Sequence, residues 1–279
     1  MDVNAAVNSP GQPGFADGDR SQPTTALTIA SATDATVPWI SLEGVNGIGK
    51  THLIRRAVQA LGPRCFSLVE LPDTPAAQLS GQIIAALQGG DSFLRTGVPR
   101  TETLLLAALH VHRYETAHPR PGQIVLEDRG PYTVAVYQSV ILNGHDRIEG
   151  TRGGVAGEEL LDTAHTVLDL ITPWRPLPSR VLLLLDDPDR CLARFQKREG
   201  RTVRSDEAGL MRRVTNLYER LAAVDPSRFQ LIDRRLFDED QCVAAIVDAC
   251  IQASLRESAE EDQRAEADAE PPKPRGGAV

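Results

Sequence analysis

Residues 44–51 read Gly44-Val45-Asn46-Gly47-Ile48-Gly49-Lys50-Thr51, and these types in this order suit the cradling of a polyphosphate. Glycines let successive backbone N–H groups turn inward, a lysine reaches the phosphate oxygens, and a threonine hydroxyl can ligate Mg²⁺. Gly44, Asn46, Gly47, Ile48, Gly49, Lys50 and Thr51 are therefore the expected nucleoside-triphosphate cradle, with Thr51 as a metal ligand. The chain has only three lysines, Lys50, Lys197 and Lys273, against 27 arginines, so a lysine at this place is poorly explained by chance. A second candidate is Asp128-Arg129, which follows the apolar run GQIVLE. Arg129 can hold an acceptor phosphate with a two-pronged guanidinium, which a lysine cannot match. Asp128 can orient Arg129 or order Mg²⁺ and its waters; a surface ion pair is the plain alternative.

Three further features bear on chemistry. Arg194, Arg198, Arg201 and Arg204 crowd eleven residues around Gly200, which reads as a lid that closes over phosphates or as a solvated helix end. Glu70 ends an apolar run and could accept a sugar hydroxyl, orient Arg129 or act as a general base; a solvated strand end is the alternative. His110 and His112, two apart on a helical pattern, point to different faces and do not make a metal pair. Trp39 and Trp174 belong to no motif and read as packing residues.

Elements must bring these groups together. Strand patterns cover 37–43, 65–70, 122–127, 180–185 and 228–232. Helical patterns cover 50–61, 76–88, 101–118, 132–142, 157–172, 188–198, 207–224 and 238–255. Apolar strands alternating with helices predict an α/β fold: a three-layer P-loop NTPase sandwich, its five-stranded parallel sheet covered by helices on both faces. The Gly-rich stretch 143–157 reads as a mobile loop, and 174–180 as a proline-braced entry to the fourth strand.

The 279 residues carry a net charge of −8, which excludes a basic nucleic-acid-binding class. Residues 1–36 and 256–279 hold −3 each, leaving −2 on the 219 residues between them. Both ends lack a sustained apolar period and read as disordered tails, the second acidic, around a P-loop domain over 37–255 with its lid near 199–206. Cys65, Cys191, Cys242 and Cys250 show no metal spacing and read as reduced thiols. Without a bilayer-length apolar run or a secretory n-region and h-region, a cytoplasmic protein is expected, with no membrane and no nucleic-acid polymer among its partners.

In order along the chain, WISLEGVNGIGKTHL, PRTETLLLAALHVHRYE, Asp128-Arg129 with Thr133, Tyr137 and Gln138 beyond it, DPDRCLARFQKR, GLMRRVTNLYERLA and PSRFQLID resemble the thymidylate kinase family. The resemblance covers about 37–255 and implies a kinase transferring the γ-phosphoryl group of ATP, with Mg²⁺, to dTMP or a related nucleoside monophosphate. It implies Lys50, Asp128, Arg129, Arg201 and Arg204 as catalytic groups, Thr51 and Asp128 as metal ligands, and Arg194 and Arg198 beside the ATP. Glu70, Leu106, His110, Arg129, Thr133 and Tyr137 fall on the acceptor side, and adenine near the segment after Asp233. A homodimer is implied by the resemblance alone. The acceptor side departs from the family: Leu106 stands where a phenylalanine stacks on thymine, His110 where an arginine bonds the base, Val134 at a polar position and Gly130 at an aromatic one. Two alternatives remain, a (deoxy)nucleoside kinase phosphorylating a 5′-hydroxyl with Glu70 as base, and a non-catalytic nucleotide-binding regulator.

Overall fold

The structure is a computed structural model and describes residues 37–69, 78–89, 91–145 and 157–269. The expected N-terminal tail over 1–36, Glu70, and 146–156 of the Gly-rich stretch lie outside the described residues. The elements run β1 (Trp39–Glu43), α1 (Lys50–Leu61), β2 (Cys65–Leu68), α2 (Leu79–Gln88), α3 (Pro99–Thr116), β3 (Ile124–Asp128) and α4 (Pro131–His145), then α5 (Gly157–Ile171), β4 (Arg180–Leu185), α6 (Pro188–Glu199), α7 (Ser205–Val224), β5 (Phe229–Asp233) and α8 (Glu239–Ala269). The five strands form one sheet in the order β2-β3-β1-β4-β5, with every pairing parallel. Helix α1 packs with α8, while α3, α4, α5 and α7 pack among themselves. The result is the expected α/β P-loop sandwich.

Burial follows from that layering. A strand covered on both faces reads as an unbroken apolar run, and Val181, Leu182, Leu183 and Leu184 of β4 are all buried, as are Ile40 and Leu42 of β1. At the carboxyl ends of the same strands the pattern turns polar without becoming exposed. Glu43, Glu127, Asp128 and Asp186 are buried there, at the edge where open parallel sheets bind ligands.

Helix α6 shows how local sequence sets an element. Asp187 caps it by accepting the backbone N–H groups of Asp189 at 2.9 Å and Arg190 at 3.0 Å. Pro188 opens the helix, Asp189 lies in its first turn, Lys197 and Arg198 in its last, and Gly200 at φ +65° ends it, which matches the dipole and the cap geometry.

Helix α8 departs from expectation, because it continues to Ala269 where a disordered tail was expected from 256. Residues 256–269 include no glycine or proline, and their Ala, Glu, Gln and Arg are strong helix formers. Acidic composition alone did not separate a tail from a helix. Trp174 is a second correction: it is 70% exposed and packs in no core. Among the described residues the four cysteines are free, and no helix is long and apolar enough to cross a membrane.

Leu182 is fully buried and pairs with Leu42 at the centre of the sheet. Leu182→Ala is expected to lower the unfolding free energy by about 2–5 kcal/mol, measured by urea denaturation.

Candidate active site

Between β1 and α1 the chain turns through Gly44, Gly47 and Gly49, at φ +137°, +78° and +98°. Gly47 is required twice over, because a Cβ there would stand 2.1 Å from the Cys191 carbonyl oxygen of α6. Helix α1 carries no acidic residue in its first turn, so its N–H groups and dipole remain available to an anion. Lys50 is buried, and its Nζ donates to the carbonyls of Gly44 at 2.7 Å and Val45 at 2.9 Å. Arg234, just past β5, was not singled out by the sequence. Its guanidinium donates to the Ile48 carbonyl, and its backbone N–H to that of Leu185 at 2.8 Å, tying the loop to the sheet.

Next to the loop, Thr51 Oγ1 donates to Asp128 Oδ2 at 2.7 Å. The other oxygen, Asp128 Oδ1, is buried without a hydrogen-bond partner. A hydroxyl and a carboxylate with a spare oxygen are hard donors of the kind Mg²⁺ takes, so these residues fit that ion. No group of three or more His, Cys, Asp or Glu among the described residues could hold a metal. A cation between Thr51 and Asp128 would draw its remaining ligands from water and phosphate, as Mg²⁺ commonly does.

Arg129 leaves the end of β3 at φ +63°, a strained conformation for a residue with a side chain. Its N–H donates to Leu42 O at 3.3 Å, holding the turn against β1. The guanidinium bonds the Asn46 side chain and lies 5.5 Å over the Tyr137 ring. The Tyr137 hydroxyl in turn accepts the Asn46 N–H at 3.0 Å. Behind Arg129 opens a narrow pocket of about 70 Å³. Leu106 and His110 of α3 and Thr133, Val134 and Tyr137 of α4 line it, with Asn46 and Arg129 at the loop side. Phe93 lines it too, its ring 6.3 Å from Tyr137 and 5.3 Å from Phe195. Sequence reading passed over Phe93 because it follows a turn-like Gly-Gly-Asp-Ser. The available signal was aromatic scarcity, 4% of the chain, with three of those few rings gathered here.

No family model matches the chain. Individual relatives do. The thymidylate kinase of Geobacter sulfurreducens is 30% identical over 208 residues, covering 70% of this chain and 88% of that protein. This chain belongs to the thymidylate kinase family. It is similar also to the thymidylate kinase of Bifidobacterium longum subsp. infantis, 29% identical over 225 residues, with 79% of this chain and 88% of that protein covered. A probable thymidylate kinase of Pyrobaculum calidifontis is 29% identical over 223 residues, 78% of this chain and 99% of that protein. The chain is thus a phosphotransferase, a nucleotide kinase of the thymidylate kinase family.

Gly130 has a steric reason of its own. At Gly130 a Cβ would stand 2.9 Å from Ser41 Cβ and 3.1 Å from both Glu43 Oε1 and Glu127 Oε2, so no aromatic side chain fits. The space goes to Glu43. Its Oε1 accepts the Gly130 N–H at 2.7 Å, and its Oε2 accepts the hydroxyls of Thr133 at 2.5 Å and Tyr218 at 2.9 Å. One carboxyl thereby joins the strand before the phosphate loop, the start of helix α4 and helix α7. Burial pushes the Glu43 carboxyl up to about 7, and its hydrogen bonds offset that only in part.

The four arginines around Gly200 are paired with carboxylates. Arg194 bonds Asp186 Oδ2 at 2.7 Å at the end of β4. Arg198 is exposed and bonds Glu199 at 3.0 Å. Arg201 makes two bonds to the buried Glu207, at 2.8 and 2.6 Å. Arg204 bonds Asp206 at 3.1 Å and lies 3.5 Å from Glu207 Oε1. The segment between α6 and α7 is therefore held at the start of α7, and the bonds of Arg201 and Arg204 do not go to the P-loop. The structure brings Leu106, His110, Arg129, Thr133 and Tyr137 together in one pocket, with Lys50 folded onto the phosphate loop and Thr51 joined to Asp128 at its side. It leaves Arg198, Arg201 and Arg204 on α6 and α7 carboxylates.

A carboxyl at about 7 when folded and 4.5 when free binds its proton more tightly in the folded chain. Its stabilisation is complete below about pH 4.5 and is lost as pH rises to about 7, by roughly 3 kcal/mol. Urea denaturation of the wild type and Glu43→Gln should diverge across that window, with the variant's dependence the flatter of the two.

Proposed function

We propose that this chain transfers the γ-phosphoryl group of ATP to the phosphate of dTMP or a closely related nucleoside monophosphate. The observation that carries the reading is the sharing of Asn46 and Arg129 between the phosphate loop and the pocket. A donor phosphate on the loop and an acceptor phosphate at the pocket mouth would meet at one guanidinium. Phosphoryl transfer asks chiefly for alignment and charge neutralisation, and the residues divide along those lines. Lys50 turns from its loop carbonyls to the β- and γ-phosphates. Arg129 holds the acceptor phosphate in line with its two-pronged guanidinium. Thr51 and Asp128 would hold Mg²⁺, which would supply neutralisation of phosphate charge. Leu106, Phe93 and Tyr137 enclose the base and sugar, with Thr133 and His110 as the polar groups. Arg194 stands beside the loop at the ATP end. Arg201 and Arg204 reach the phosphates once Glu207 and Asp206 release them, closing the site to water.

The deciding experiment is coupled ADP release with a panel of nucleoside monophosphates and nucleosides. Turnover of dTMP without turnover of thymidine is the expected result. Turnover of thymidine alone would move the function to a nucleoside kinase. ATP binding without any transfer would leave a regulator.

Lys50→Ala should lower kcat by about 10²–10³-fold with little change in urea midpoint. Arg129→Lys, which keeps the charge and loses the fork, should raise the acceptor KM by about tenfold. Steady-state kinetics reads both.

A further inference from the structure

Arg175 is fully buried, the bulkiest side chain of which that is true among the described residues. It comes from the turn between α5 and β4, outside every motif. Its Nη2 donates to Glu127 Oε2, its Nη1 to His110 Nδ1 at 2.9 Å, and its guanidinium lies 5.4 Å from the Trp39 ring centre. A guanidinium only donates, so His110 Nδ1 is an acceptor. A neutral ring must then carry its proton on Nε2. The ring is neutral: burial, with Arg113 on its own helix and Arg175 across from it, holds the imidazole well below its usual range. Facing the ring are Arg175 from the α5–β4 turn, Glu127 of β3, whose Oε1 is 3.9 Å from Nδ1, Arg113 of α3 and, across the pocket, Arg129. His110 lines the pocket, and the far side of its ring is Nε2–H.

We propose that Arg175 is a specificity-setting positioning residue, which locks His110 as the Nε2–H tautomer so that the pocket offers the base one neutral donor. The inference rests on the acceptor reading of the pocket given above. A base with an oxo oxygen at that edge, a 4-oxopyrimidine or a 6-oxopurine, completes the hydrogen bond. A 4-aminopyrimidine or 6-aminopurine sets N–H against N–H and leaves both unpaired, which lowers kcat/KM by about 10- to 100-fold. A neutral histidine can present either polarity at a given edge, and the Arg175 guanidinium fixes which one it presents here.

Long-range ¹H–¹⁵N correlation spectra of the labelled protein test the lock directly, with His110 assigned by comparison with His110→Gln. Protonated Nε2 and an accepting Nδ1 from pH 6 to 8 are expected; an Nδ1–H tautomer or an imidazolium overturns the proposal. In kinetics, kcat/KM for dTMP or dUMP should exceed that for dCMP by at least about tenfold. His110→Gln, whose amide presents either polarity, should bring that ratio close to one. Arg175→Met removes the repelling cation and leaves Glu127 beside the ring. The acceptor KM should then become pH-dependent between 6 and 8 while kcat changes less. Where Arg175→Met does not fold, the spectrum and the glutamine variant decide. Equal turnover of dCMP and dTMP overturns this inference and leaves the kinase reading standing. Absence of turnover with any monophosphate overturns the kinase reading, and the spectrum still decides the lock.

Discussion

The site depends on one electrostatic constraint, the burial of three carboxylates at the carboxyl edge of β1 and β3. Removing an ion from water costs several kcal/mol unless it is paired or hydrogen-bonded, and Glu43, Glu127 and Asp128 are each at most 3% exposed. Each has its own solution. Glu43 is held by a backbone N–H and two hydroxyls and moves toward the neutral acid. Glu127 keeps two arginines, Arg175 and, at 3.6 Å, Arg113. Asp128 has Thr51 and a spare oxygen. Two of their partners, Thr51 beside the phosphate loop and Thr133 in the pocket lining, belong to the site itself, so the buried sheet edge and the site share residues.

Much of this was legible in the sequence where information is local. The glycine loop declares itself because few other residues tolerate its dihedrals, and α6 because cap, opening proline, charged turns and closing glycine lie within fourteen residues. The strands were recognisable as short apolar runs and fall within two residues of their expected bounds. What stayed hidden is non-local. Arg175 meets Glu127 and His110 across separations of 48 and 65 residues, and no spacing rule connects a proline-flanked turn to a helix face. Arg234 caps a loop 186 residues away, and Phe93 enters the pocket from what reads as a turn. Helix α8 failed for the opposite reason. Its last half is locally a good helix, but its acid-rich composition suits a solvated tail equally well.

The resemblance implies an aromatic residue, a stacking ring and an arginine where this chain has Gly130, Leu106 and His110. In this chain the Glu43 and Glu127 carboxyl groups crowd the space at Gly130, Phe93 and Tyr137 line the pocket with Leu106, and Arg175 sets its guanidinium against His110.

Gly47 leaves no gap between the phosphate loop and the backbone of α6 at Cys191 and Phe195. Two backbones in van der Waals contact transmit displacement rather than absorb it, because close-packed interiors are stiff. Helix α6 is twelve residues long, a rod of about 18 Å, and its far end is Gly200, where the arginine-bearing segment begins. Position 47 therefore sets the spacing between the phosphate loop and the helix that bears Arg194 and Arg198, and any side chain there would force the two apart.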